Sequence, residues 1–86
     1  MKIEHDPVGQ KFLIDDGQVY AILAYTEIND NLDVHFIDAT DEKVMEGIIR
    51  AAFEYARNNN VRIISSAKEV DEFVEKYPEY ANLVEK

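Results

Sequence analysis

The sequence predicts a single α/β domain of the α+β kind, with an N-terminal antiparallel meander followed by a β-α-β unit holding one parallel strand pair and then a C-terminal helix. Three observations predict it. Two apolar runs flank Asp16-Gly17, a pair that makes tight hairpin turns because glycine accepts positive φ. From Thr40 the apolar period changes from two residues to three and four, the mark of a helix. Directly after Asn58-Asn59-Asn60 comes the β-branched run Val61-Arg62-Ile63-Ile64-Ser65, a strand that lies parallel to the one before the helix because the connection crosses over.

The 86 residues leave room for one core, so residues 1–86 are expected to form one domain. Hydrophobic residues make up 47% of the chain, enough for a packed interior and too much for a disordered segment. Eighteen acidic side chains against nine basic ones give a formal charge of −9, which repels phosphate backbones and anionic lipid. Nucleic acid and membranes are therefore not expected as partners, whereas a basic protein or a polyamine suits the charge. With no cysteine there is no disulfide, thiolate nucleophile or cysteine metal site. The first residues carry acids where a signal peptide needs positive charge, and no run approaches the ~18 apolar residues of a membrane span, so a cytoplasmic location is expected.

Lys11 to Asp15 reads as the first strand of the hairpin and Gln18 to about Glu27 as its partner. In that partner Val19, Ala21, Leu23 and Tyr25 alternate with Tyr20, Ile22, Ala24 and Thr26, so both faces are apolar and the strand is expected to be central and covered on both sides. Asn29-Asp30-Asn31 supplies the next turn by Asx hydrogen bonding. In the strand from Leu32 to Asp38, Leu32, Val34 and Phe36 alternate against Asp33, His35 and Ile37. The helix then buries Val44, Ile48 and Ala52 together with Met45, Ile49, Phe53 and Ala56; Thr40 is its expected N-cap, and Glu46 and Arg50 are expected to pair outside. It stops at the Asn run, because Asn takes the left-handed cap conformation at little cost. After Val61 to Ser65, a last amphipathic helix buries Val70, Phe73, Val74 and Tyr77 and pairs Glu72 with Lys76; Pro78 closes it, and Glu79 to Glu85 has room for one more turn.

The run Ala51-Ala52-Phe53-Glu54-Tyr55-Ala56-Arg57, the Asn-rich stop, Val61 to Ile64 and Val74-Glu75-Lys76-Tyr77-Pro78-Glu79-Tyr80 resemble the short GNAT-like N-acetyltransferases, as do the opening strands Ile3 to Asp6 and Phe12 to Asp15. That resemblance covers nearly the whole chain. It implies a GNAT fold in which acetyl-CoA, or CoA, sits in a wedge between the two parallel strands, with its pyrophosphate at the amino end of the joining helix. By position it implies cofactor contacts at Ile37, Thr40, Lys43, Val44, Met45 and Ser66, and an acyl-CoA and an amine acceptor as reaction partners. It also puts His35 on the first parallel strand, where the family often has a histidine. An ordinary histidine pKa of roughly 6.5 suits a general base.

Two departures bear on activity. The family's glycine-rich loop falls on Thr40 to Met45, where neither glycine is present and Asp41 and Glu42 place two carboxylates in the first turn, favourable for the helix dipole and repulsive to a pyrophosphate. Ala67 stands where the family typically has a cysteine, and Ser65 and Ser66 beside it lack a nucleophile's sequence signature. Two readings stay open: an N-acetyltransferase relative with an eroded cofactor loop, and a non-enzymatic binding module on the same scaffold, with a basic partner favoured by charge. Self-association through a strand edge or the tyrosine-bearing helices is compatible with both. Asp33 and His35 share a strand face but offer two ligands only, so no metal site is expected. His5 reads as structural or exposed, and Tyr55, Tyr77 and Tyr80 as edges of the core.

Overall fold

Turn chemistry fixes the meander. In the computed structural model, which describes residues 2–85, Gly17 takes a φ of 91°, and Asp16 Oδ1 accepts from the amides of Gln18 (3.2 Å) and Val19 (3.0 Å). This joins β2 (Lys11–Asp15) to β3 (Tyr20–Ile28). Asn29, at a φ of 54°, turns β3 into β4 (Asn31–Ala39). The short β1 (Glu4–Asp6) adds an antiparallel edge, and β5 (Arg62–Ser65) closes a sheet of order β1-β2-β3-β4-β5. Of the four strand pairs among the described residues, β4–β5 is the parallel one, and an isolated parallel bridge joins Ile63 to Val84.

Between the parallel strands runs α1 (Glu42–Asn59), which ends where Asn60 adopts φ 57°, ψ 38° and returns its amide to the Ala56 carbonyl. Its start differs from the expectation. Asp41, not Thr40, is the cap: its Oδ1 accepts the Val44 amide at 2.9 Å. Thr40 instead exchanges hydrogen bonds with the Tyr20 backbone, its amide donating to the Tyr20 carbonyl at 2.8 Å and its Oγ1 accepting the Tyr20 amide at 3.2 Å. The β3–β4 ladder thus claims one residue more than hydrophobic periodicity assigns to it.

The core lies on one sheet face. Phe12, Ile14, Ala21, Leu23, Tyr25 and Leu32 are buried there against the apolar stripe of α1. Helix α2 (Lys68–Lys76) and a 3-10 turn (Pro78–Leu83) join it through Phe53, whose ring lies 5.4 Å from those of both Phe73 and Tyr80. On the other face Ile22 and Ala24 are only half-buried, while Tyr20 and Phe36 are exposed, at 39% and 52%. The expectation that β3 is covered on both sides is therefore corrected: both helices are spent on one face.

The alternation expected of β4 is also broken. Its register with β3 passes from Phe36 opposite Ala24 to Val34 opposite Tyr25, so His35 is the extra residue of a β-bulge. Leu32 and Val34 face the core before it, and Ile37 and Ala39 after it, which leaves Phe36 outside. The two intrahelical ion pairs expected are replaced by contacts between helices. Lys76 Nζ lies 2.7 Å from Glu46 Oε2, Tyr77 Oη donates to Glu46 Oε1 at 2.8 Å, and the Arg50 guanidinium stacks 4.6 Å from the Tyr77 ring centroid. An i,i+4 pair is worth only about 0.5 kcal/mol, so partners that tertiary packing brings closer prevail.

Candidate functional site

Parallel pairing of β4 with β5 runs from Asn31–Arg62 to Val34–Ser65 and stops there, one residue before the bulge. Beyond it β4 continues to Ala39 bound to β3 alone, while β5 ends and the chain leaves through Ser66 and Ala67 into α2. The sheet therefore opens into a wedge at the carboxyl ends of its two parallel strands, with the amino end of α1 at its mouth. A strand edge without a partner presents backbone N–H and C=O groups, which an extended ligand bearing amides can pair with.

The residues implied by the resemblance gather around this end. His35 is exposed at the bulge. Ile37 is half-buried against the core and Thr40 is exposed but tied to Tyr20. Val44 is buried, so only its backbone is available, and its amide is already held by Asp41. Lys43 is exposed beside Glu42 and Glu46, whereas the Met45 side chain turns to the α1–α2 groove, against Phe73 and Lys76. Ser66 is exposed across the wedge; its neighbour Ser65 accepts the Ala67 amide through Oγ at 3.0 Å.

The mouth is partly satisfied from within. Besides the Val44 amide, that of Met45 donates to the Asp41 carbonyl at 3.0 Å, and that of Ala39 to Asp38 Oδ1 at 3.0 Å. At the helix start a carboxylate of the chain itself thus holds the Val44 amide, and the amides of Glu42 and Lys43 stay open beside it. The wedge suits an extended, uncharged arm; the helix start does not suit a diphosphate.

A second cluster escaped sequence reasoning. His5 stacks on Phe12 with centroids 4.1 Å apart, meets Tyr55 edge-on, and shares a 2.6 Å hydrogen bond between Nε2 and Tyr25 Oη. Burial lowers the His5 pKa against the opposing pull of Asp6 and Glu27; burial, reinforced by Tyr55, pushes Tyr25 up to about 12. Here His5 is a structural residue. The only signal was the β1 pattern, in which His5 alone faces the helices, and its partner lies twenty residues away. Among the described residues no three His, Asp or Glu side chains converge as metal ligands, and no helix is long and apolar enough to cross a membrane.

No family profile and no curated protein matches the sequence. Among solved structures, the chain is similar to the solution structure of a "GCN5-like putative N-acetyltransferase" from Staphylococcus aureus, with 25% identity over 98% of this chain and 87% of that one and a TM-score of 0.77. That likeness spans the meander, the crossover and both helices, and with the bulged wedge it establishes that the chain has a GNAT-like fold.

Proposed function

We propose that this chain is a relative of the acetyl-CoA-dependent N-acetyltransferases whose wedge still receives an acyl thioester, with binding of the full cofactor weakened at the helix start and acetyl transfer lost or slow. The observation that carries this reading is the wedge itself, formed where parallel pairing ends at Val34–Ser65 beside the bulge. A thioester bound there would supply a carbonyl that an amine attacks, the new C–N bond forming as the C–S bond breaks and the sulfur leaves as the free thiol. The chain's own contribution is threefold: strand N–H groups orient and polarise the carbonyl oxygen, the core beneath Ile37 excludes water from one side, and His35 or solvent takes the amine proton. The acceptor is then an amine, drawn by the acidic surface, and the setting is the cytoplasm.

A second reading is a non-enzymatic module that uses the wedge or acidic surface for a basic partner. Two observations favour it: carboxylates occupy the mouth, and Ala67 stands at the family's cysteine position. Titration of acetyl-CoA and free CoA into 15N-labelled protein separates the two. Saturable shifts at residues 37–45 and 65–68 support the first, and an amine screen follows. An unchanged spectrum at millimolar ligand sinks it and leaves the module.

A further inference from the structure

Anion recognition at a helix start requires free amides in a positive local field, and the start of α1 keeps only the amides of Glu42 and Lys43 without an acceptor, beneath carboxylates of the chain itself. The Val44 amide is taken by the Asp41 carboxylate and that of Met45 by the Asp41 carbonyl, and Asp38 holds the amide of Ala39. Glu42 adds a further exposed carboxylate in the first turn. Of the nearby cations, Lys76 is committed to Glu46 at 2.7 Å, which leaves Lys43 as the lysine of the first turn. Deeper in the wedge the conditions reverse: past the bulge the edge of β4 has no β5 partner, and the two residues before Asp38, Phe36 and Ile37, are apolar.

Resting on the reading that the wedge receives an acyl thioester, we propose that its ligand is the acyl-pantetheine arm alone, a donor that lacks the nucleotide diphosphate. Asp41 is an internal substitute for the diphosphate: it places a tethered carboxylate on the Val44 amide and, with Glu42, opposes a free anion by charge. The arm is uncharged and carries two amides, so it meets the open strand edge without approaching the acids.

The test compares S-acetylpantetheine with acetyl-CoA by calorimetry and amide shifts, in the wild type and in D41N/E42Q. Asn remains a good N-cap, so this variant removes charge while keeping the helix start. The expected result is that the wild type binds the neutral probe at least as tightly as acetyl-CoA and binds acetyl-CoA better as salt screens the acids. D41N/E42Q should tighten acetyl-CoA about tenfold or more and leave the neutral probe within about twofold, since two removed charges near a diphosphate act on the ion alone. Acetyl-CoA binding tenfold tighter than the neutral probe in the wild type overturns this inference while sustaining the wedge as a thioester site. An acetyl-CoA affinity unmoved by D41N/E42Q also overturns it. If neither probe shifts the wedge amides, the inference and the thioester reading fall together.

Discussion

Replacing Tyr25 by Phe removes one hydroxyl from a buried aromatic cluster and should change stability differently at every pH. Tyr25 is 3% exposed, and its Oη lies 2.6 Å from His5 Nε2. In the fold its pKa rises from 10 to about 12, first because burial disfavours the phenolate, then because Tyr55, Glu27 and Asp6 repel it. A raised pKa favours the protonated form, so this contribution is whole below pH 10 and is lost as pH rises through the folded value. Two units correspond to about 2.7 kcal/mol. At pH 8, Y25F leaves a half-buried imidazole nitrogen without its partner, at a cost of about 1–2 kcal/mol. Wild type should therefore exceed Y25F in stability at pH 8, and the gap should close between pH 10 and 11.5, where only the wild type must ionise this phenol on unfolding. The assay is urea denaturation followed by far-UV circular dichroism across that range. A gap that stays constant from pH 8 to 11.5 would refute the argument.

Phe53 is 1% exposed and joins α1 to Phe73 and Tyr80; Phe53→Ala should cost about 3–5 kcal/mol and release α2 first, seen as early loss of amide protection over residues 68–76. Hydrogen bonds from Lys76 and then Tyr77 hold the Glu46 carboxyl below its ordinary 4.5, so its contribution is present above that pH and lost as pH falls through the folded value. E46Q should flatten the acid limb of a Tm-against-pH curve, and superimposable acid limbs would count against the pairing. Asn60, at φ 57°, should tolerate Gly within about 0.5 kcal/mol, whereas Asn60→Val should cost about 1–2 kcal/mol in the same urea assay. Burial lowers the His5 pKa, so the neutral ring is favoured in the fold. Its contribution is whole above the ordinary 6.5 and declines as pH falls below it, so His5→Phe should lose less stability than wild type between pH 7 and 5.

The site was legible only in outline. Asp41 and Glu42 stand out in the sequence as acids where a diphosphate loop is expected, and the structure adds the consequence, that Asp41 is itself the cap. The bulge at His35 left no trace in the residue pattern, because Phe36 and Ile37 are both apolar and either one satisfies a core position. The resemblance carried His35 over as a strand residue, yet its exposure follows from the bulge.

By itself the sequence pattern determined the element order from β2 to α2, the Gly17 hairpin, the Asn60 stop and the parallel crossover, since each rests on local backbone preference or on a period shared by several residues, whereas β1 was reached through the resemblance. Tertiary structure alone decided three things. Glu46 and Lys76 pair across thirty residues, because helix packing sets distances that sequence spacing does not encode. Both helices cover one sheet face, because α2 finds its apolar contacts on Phe53 and not on the strands. The wedge opens because β5 ends at Ser65 while β4 runs on past a one-residue bulge against β3, and one residue of register is below what hydrophobic periodicity can resolve.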